Sequence, residues 1–318
     1  MKLIICGNGF DMHHNLKTGY SEYKKYLQCN APSLVEKFES FPWLQEKCKN
    51  DLWRDIENTL TLNFQKMIDH FKAYYDDPDG VIEYDTDFED WTRFIYAFTG
   101  EEFYQWISSI DLNAAKAEDD LSELFSDAVF VTFNYTDTLE RIYGVPNEKV
   151  LHLHGTLIKV TFENCFSYNI LPLFTTIEEA ESYDGPILES DKWNSDIIRE
   201  EIQFGAPVIE ANPLDSIVEQ IQHEDIRCLF RQLIDKTTKS IYKNLPLLKA
   251  FLHGKEIDEI VIMGHSLMGA DDLYYSECLI PLYGTKKWTA YYHTDADYEE
   301  KTAFFAKNAI TTHQCKKW

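Results

Sequence analysis

The sequence predicts an α/β fold with a doubly wound, mostly parallel sheet. Three observations lead to this fold class: short continuous apolar runs, amphipathic helical stripes between them, and a glycine-containing turn directly after the first run. Continuous apolar runs are typical of parallel strands, because helices cover both faces of such a sheet. The runs that predict strands are residues 3–6, 129–133, 150–153, 259–263 and 288–292.

A long gap between the first two predicted strands indicates a helical insertion. Residues 52–74 and 88–98 carry apolar side chains at spacings of three and four, which predict amphipathic helices. The gap is several times longer than a usual crossover between parallel strands. We therefore predict a core of residues 1–20 and 124–318 and a helical insertion or subdomain of residues 21–123, an arrangement also compatible with one compact domain.

The second half of the chain carries one further helical pattern and one irregular segment. Residues 226–252 predict a helical region that breaks at Pro246, and His253 with Gly254 predicts its C-terminus. Residues 161–212 show no clear period, and prolines and glycines interrupt them. We interpret this stretch as an irregular, lid-like segment.

The composition argues against several classes of function. The 318 residues carry a formal net charge of −24, and such a chain repels the phosphate backbone of nucleic acid. The seven cysteines form no C-x-x-C pair, so neither a disulfide framework nor a zinc ribbon is indicated. Reduced thiols of this kind fit a cytoplasmic protein. No apolar run approaches the roughly 18 residues of a membrane helix, and the first run is too short for a signal peptide.

The first predicted strand leads into a turn that can bind a phosphate. Glycines at positions 7 and 9 let backbone N–H groups approach an anion, as in the dinucleotide-binding turn of Rossmann-like folds. The third glycine of that fingerprint is missing, and a plain strand-to-helix turn is the alternative. We expect Gly9→Val to remove ligand binding and to leave folding largely intact. The turn consists of Gly7, Asn8, Gly9, Phe10 and Asp11.

Polar side chains also follow the second and third predicted strands. Asn134 can orient a ribose hydroxyl or a water molecule, or it can contribute to capping the next helix. His154, which precedes Gly155, is a candidate general base, because imidazole titrates near neutral pH. Together with His152 it is also a candidate metal pair. Two histidines satisfied within the fold are the alternative.

The fourth predicted strand ends in a turn with Gly264, His265 and Ser266, and Asp271 follows. The pattern resembles the nucleophile elbow G-x-S-x-G of α/β hydrolases. The second glycine comes one residue late, at Gly269, although the tight elbow needs a small residue at the earlier position. A loop that binds a ligand or caps a helix is the alternative.

Taken in order, these motifs resemble the AbiH family of bacteriophage abortive-infection proteins, and the resemblance spans nearly the whole chain. It implies a role in antiphage defence, and it is compatible with a phage-derived trigger, a defence partner protein and an oligomer. The residues that carry it are Gly7, Asn8, Gly9, Phe10, Asp11, His14, Leu16, Thr18, Tyr20, Trp53, Asp55, Glu57, the run 133–140, His154, Gly155, Gly264, His265, Ser266, Leu267 and Asp271.

The motif order is also distantly similar to that of sirtuin-like NAD-consuming domains. This similarity implies a dinucleotide substrate, NAD, which is hydrolysed at the nicotinamide–ribose bond by His154 and Asn134 without a metal. The four-cysteine zinc module of sirtuin deacetylases is missing, which argues against acyl-peptide chemistry. The residues that the similarity assigns to dinucleotide binding are Gly7, Asn8, Gly9, Phe10, Asp11, His14, Gly264, His265, Ser266 and Asp271.

Other function classes stay open, because a fold does not determine an activity. A Ser266-dependent α/β hydrolase would react with a fluorophosphonate probe. A non-enzymatic nucleotide-binding module of a defence system would bind a nucleotide without turnover. A metal hydrolase would use His152 and His154.

Overall fold

The computed structural model describes residues 1–40, 53, 101–154, 160–162, 165–167, 218–219, 241–267 and 271–318. The strands are β1 (Lys2–Cys6), β2 (Ala128–Thr132), β3 (Val150–His152), β4 (Val160–Phe162), β5 (Cys165–Ser167), β6 (Glu259–Met263), β7 (Lys287–Tyr292) and β8 (His313–Lys317). Six of them form one open parallel sheet in the order β3-β2-β1-β6-β7-β8. The predicted α/β class and all five predicted strands are therefore confirmed.

Helices follow most of these strands. The helices are α1 (Asn8–His13), α2 (Tyr20–Asn30), α3 (Pro32–Ser40), α4 (Glu101–Ser108), α5 (Asp119–Phe125), α6 (Thr138–Tyr143), α7 (Ile241–Leu252), α8 (Asp272–Tyr274), α9 (Ile280–Tyr283) and α10 (Asp295–Lys307). A π-helical turn, Tyr275–Leu279, connects α8 to α9, and 3₁₀ turns span Leu112–Ala114 and Asn147–Lys149.

Both faces of the sheet are buried, which explains the continuous apolar runs of its strands. Successive side chains of a strand point to opposite faces. In β1, Leu3 and Ile5 accordingly pack in one core cluster with residues of α7, α9 and α10. Ile4 and Cys6 pack in the other cluster with residues of α1, α5 and α6. The sheet is thus covered by helices on both sides, as the sequence predicted.

Three features differ from the predictions. Strand β8 was not predicted, because its residues are mostly polar and form no apolar run. It lies at one edge of the sheet, where its side chains are partly exposed. The strands β4 and β5 pair antiparallel inside the segment predicted to be irregular. Helix α7 continues through Pro246. Burial of its side chains around the proline, including Leu248 and Phe251, offsets a cost of about 3 kcal/mol for proline inside a helix.

The chain divides into two compact units. The first comprises Met1–Thr18, Ser109–Val208 and Ile241–Trp318 and contains the sheet. The second comprises Gly19–Ser108 and Ile209–Ser240. The boundaries predicted for the helical insertion stay a prediction.

The described part of the second unit has an aromatic core of its own. The ring of Tyr23 in α2 lies 5.4 Å from that of Phe103 and 4.7 Å from that of Trp106, both in α4. The predicted helices at residues 52–74 and 88–98 lie outside the described residues, apart from Trp53. Among the described helices of the chain, none is long and apolar enough to cross a membrane.

Candidate functional site

The loops after β1, β2 and β6 meet at the carboxyl edge of the sheet. The backbone N–H of Gly7 donates to the Met263 carbonyl at 3.0 Å, and that of Gly9 donates to the Gly264 carbonyl at 2.9 Å. The side-chain Nδ2 of Asn134 donates to the Gly7 carbonyl at 3.1 Å. Because β1 lies between β2 and β6, the sheet order brings these three predicted motifs together.

The glycines of this edge pack directly against each other. Gly264 has a φ of +67°, and a Cβ atom there would lie 2.0 Å from the backbone nitrogen of Phe10. A Cβ atom on Gly9 would lie 2.8 Å from the Cα of Gly264. The expectation that Gly9→Val leaves folding intact is therefore wrong, because the space beside Gly9 is filled by backbone.

The N–H groups of the first turn also take part in this packing. Besides the bonds of Gly7 and Gly9, the N–H of Phe10 donates to the Gly7 carbonyl at 2.8 Å. The hydroxyl of Thr18 donates to Oδ1 of Asn8 at 2.5 Å. The turn thus joins β1 to the loop after β6, and its predicted contact with a phosphate stays a prediction.

The carboxyl group of Asp11, the last residue of the turn, is buried. The Thr136 hydroxyl donates to its Oδ2 at 2.5 Å, and the Thr138 hydroxyl donates to that of Thr136 at 3.0 Å. Burial raises the pKa of Asp11 to about 6, although these threonines and the nearby His14 lower it in part. The side chain of Asp11 therefore links helix α1, which follows β1, to the loop that follows β2.

His14 is held in a similar way. Its Nδ1 donates to the Phe10 carbonyl at 2.7 Å, and the hydroxyl of Tyr143 lies 2.5 Å from its Nε2. Because Nδ1 carries the proton of the neutral ring, the Tyr143 hydroxyl donates to Nε2. Phe10 and His14 are both buried. These two predicted cofactor residues contact protein groups, and their predicted role in binding a dinucleotide stays untested.

Asp271 lies between two imidazole rings. Its Oδ1 is 3.4 Å from Nε2 of His154, and its Oδ2 is 3.2 Å from Nε2 of His265. All three side chains are buried, and the Phe133 ring lies 5.3 Å from the His154 ring and 4.1 Å from that of His265. A carboxylate that contacts an imidazole in an apolar surrounding can orient that imidazole for proton transfer. We refer to His154, Asp271 and His265 as the His–Asp–His cluster.

The second histidine of the predicted pair has different partners. Nε2 of His152 lies 2.7 Å from Oε1 of Glu140, and its Nδ1 lies 3.3 Å from the Asn134 carbonyl oxygen. His154 instead faces Asp271. The two rings thus contact separate carboxylates, which favours a structural role for His152 over a shared metal site.

Ser266 lies in the loop after β6 and is exposed, whereas its neighbour His265 is buried. Two residues that the sequence did not single out also reach His265. The hydroxyl of Tyr275 lies 2.9 Å from Nδ1 of His265, and Nζ of the buried Lys301 donates to the His265 carbonyl at 3.2 Å. A single tyrosine or lysine gives no sequence signal of such a contact.

Comparison with known proteins gives one match. A family model described as bacteriophage abortive infection AbiH matches residues 3–292. The matched range runs from β1 to the end of β7 and includes every loop of the site described above. No curated protein and no solved structure matches the chain.

Proposed function

The chain belongs to the AbiH family of bacteriophage abortive-infection proteins, and we propose that it acts in antiphage defence by hydrolysing NAD at the nicotinamide–ribose bond. The observation that carries the proposal is the His–Asp–His cluster at the carboxyl edge of a parallel sheet. Open α/β sheets bind their ligands at this edge. A buried histidine beside a carboxylate is suited to general base catalysis, and the distant similarity to sirtuin-like domains supports NAD as the substrate.

In the proposed reaction, His154 accepts a proton from a water molecule. The water oxygen forms a bond to C1′ of the nicotinamide ribose, and the C1′–nitrogen bond breaks. The electron pair of that bond neutralises the pyridinium, so nicotinamide leaves as a neutral molecule and ADP-ribose remains. Asp271 stabilises the protonated form of His154 during the step, and the proton then passes to solvent.

The hydrogen bond of Asn134 to Gly7 limits which atom of its side chain can take part in the proposed reaction. Its Nδ2 donates to the Gly7 carbonyl, so in the proposed reaction its Oδ1 is the atom that accepts a hydrogen bond from the water or a ribose hydroxyl. The loops after β1 and β6 carry the proposed dinucleotide contacts. Among the residues of these loops, the exposed Ser266 serves binding. Both ring nitrogens of the neighbouring His265 already have hydrogen-bond partners, so His265 does not activate the Ser266 hydroxyl as a nucleophile.

The test incubates the purified protein with NAD and measures nicotinamide release by chromatography. We expect His154→Ala to lower the rate by about 10²–10⁴-fold, since a positioned general base contributes an effect of this size. The matched control is His253→Ala, which removes an exposed histidine outside the site. Ser266→Ala should have a smaller effect than His154→Ala.

The same variants are then expressed under phage challenge while cellular NAD is followed. We expect His154→Ala to lose both protection and NAD depletion. Protection by the wild-type protein with unchanged NAD would remove the NADase proposal. Loss of protection in Ser266→Ala alone, together with labelling of Ser266 by a fluorophosphonate, would support the serine hydrolase instead.

A further inference from the structure

The hydrogen bonds around His265 determine which of its nitrogens carries the proton. The backbone N–H of Leu267 lies 3.1 Å from Nδ1, and a backbone amide nitrogen only donates. Nδ1 therefore carries no proton, and the Tyr275 hydroxyl at 2.9 Å is a second donor that shares its single lone pair with the Leu267 N–H. The proton of the neutral ring is on Nε2, which faces Oδ2 of Asp271 at 3.2 Å.

The backbone positions both donors in unusual ways. Leu267 has a left-handed φ of 66°, a conformation that costs about 1 kcal/mol or more for a residue with a side chain. Tyr275 is the first residue of the π-helical turn Tyr275–Leu279, and such turns are frequent at functional sites. The Tyr275 side chain is fully buried, and burial raises the pKa of its hydroxyl well above the usual range. Tyr275 therefore stays a neutral donor.

We propose that Tyr275 is a positioning residue, which holds His265 with its proton on Nε2 and thereby fixes the Asp271 carboxylate that orients His154. Oδ2 of Asp271 then accepts from His265, so Oδ1 is directed to Nε2 of His154. Because Nε2 of His154 faces Oδ1 of Asp271 at 3.4 Å, the proposal assigns Nδ1 as the basic atom of His154. The inference rests on the proposed NAD hydrolysis, and it assigns His265 to orienting Asp271 instead of binding the dinucleotide.

The kinetic test compares Tyr275→Phe with Tyr283→Phe. Both changes remove one phenolic oxygen from the same helical stretch, but Tyr283 contacts Trp288, whose Nε1 donates to its carbonyl. We expect kcat for NAD hydrolysis to fall about 10- to 100-fold in Tyr275→Phe with KM nearly unchanged, as when an orienting partner of a metal-bound histidine is removed. The acid limb of its pH profile should also move. Tyr283→Phe should stay within about twofold of wild type.

A second readout does not depend on turnover. Nitrogen NMR of the protein with ¹⁵N-labelled histidine, assigned with His265→Gln, should show the wild-type His265 ring protonated on Nε2. In Tyr275→Phe the Nδ1 resonance of His265 should shift, because Nδ1 then accepts a hydrogen bond from the Leu267 N–H alone. A wild-type ring protonated on Nδ1 would overturn the inference, and so would a Tyr275→Phe variant with wild-type kcat and pH profile. If the wild-type protein hydrolyses no NAD, the proposed function fails and the NMR result alone decides the role of Tyr275.

Discussion

Asp11 has a carboxyl group whose ionisation opposes folding. Burial raises its pKa from an ordinary value of 3.8 to about 6. Its Oδ1 has no hydrogen-bond partner among the described residues, while Oδ2 accepts from Thr136. The folded protein therefore binds a proton that the unfolded chain has already released in this pH range. The contribution of Asp11 to stability is complete below pH 3.8 and decreases as the pH rises towards about 6.

We expect this one group to lower the free energy of unfolding by about 2 kcal/mol between pH 4 and pH 7, from a shift of roughly two pKa units. In Asp11→Asn that fall should be absent, because an amide does not titrate. The measurement is urea unfolding across this pH range. Asp127→Asn is the control, since the side chain of Asp127 is 80% exposed. An identical pH dependence in Asp11→Asn and wild type would contradict the assignment.

At the scale of elements, the contact between the β1 turn and the β6 loop can be tested by two glycines with similar backbones. Gly264 has a φ of +67° and is surrounded by the backbone of Gly9 and Phe10. Gly254, after α7, has a φ of +70° and has nothing within 4 Å of an added Cβ. The two positions thus share the left-handed conformation and differ in crowding.

Gly254→Ala should cost about 1–2 kcal/mol, the strain of a left-handed alanine. Gly264→Ala should cost clearly more, because the loop must move away from β1. Urea unfolding of both variants measures the difference in their free energies of unfolding. A Gly264→Ala protein that is already unfolded without urea at room temperature would also agree with the larger expected cost. Equal losses in the two variants would mean that the loop yields easily and that the contact contributes little.

Helix α10 carries two lysines that allow a second comparison. Lys301 is buried, forms an ion pair with Asp297 and donates to the His265 carbonyl. Lys307 forms an exposed ion pair with Asp272. We expect Lys301→Met to cost about 2–4 kcal/mol, because it leaves a carboxylate and a carbonyl without their donor. Lys307→Met should cost less than about 1 kcal/mol.

Thermal unfolding of the two lysine variants measures these costs. In Lys301→Met the nitrogen spectrum of His265 should also change, because Lys301 holds the backbone of that residue. A Lys301→Met protein as stable as Lys307→Met would show that the buried lysine is replaceable by a hydrophobic side chain of similar length.

At the scale of the whole molecule, the sequence was sufficient to predict five of the six strands of the sheet. Strands β1, β2, β3, β6 and β7 consist mainly of buried apolar residues, so each appears as a continuous apolar run. Strand β8 was not predicted, because its side chains are mostly polar and partly exposed, and β4 with β5 gave no period at all. The turns after β1, β2 and β6 meet for a reason that the fold class alone provides, since parallel strands gather their carboxyl ends at one edge.

The partners within the site could not be predicted in the same way. Sequence motifs gave His154 and Asp271 separate roles, as base and as a dinucleotide-binding residue, whereas their side chains lie 3.4 Å apart. That distance depends on how two loops fold over the sheet edge, and no periodic pattern encodes it. Likewise Tyr275 resembles any core tyrosine in sequence, and the π-helical turn gives it a place beside His265.

The position of β1 in the middle of the sheet has a consequence for synthesis of the protein. Lys2 at the start of β1 pairs with Ala128 of β2 on one side and with Glu259 of β6 on the other. At about 5–20 residues per second, the ribosome needs roughly 13–50 seconds to add the roughly 250 residues between β1 and β6. During that time one edge of β1 has no native partner, and the His–Asp–His cluster has neither Asp271 nor His265. A nascent chain therefore lacks the proposed active site until the ribosome has added the residues up to Asp271.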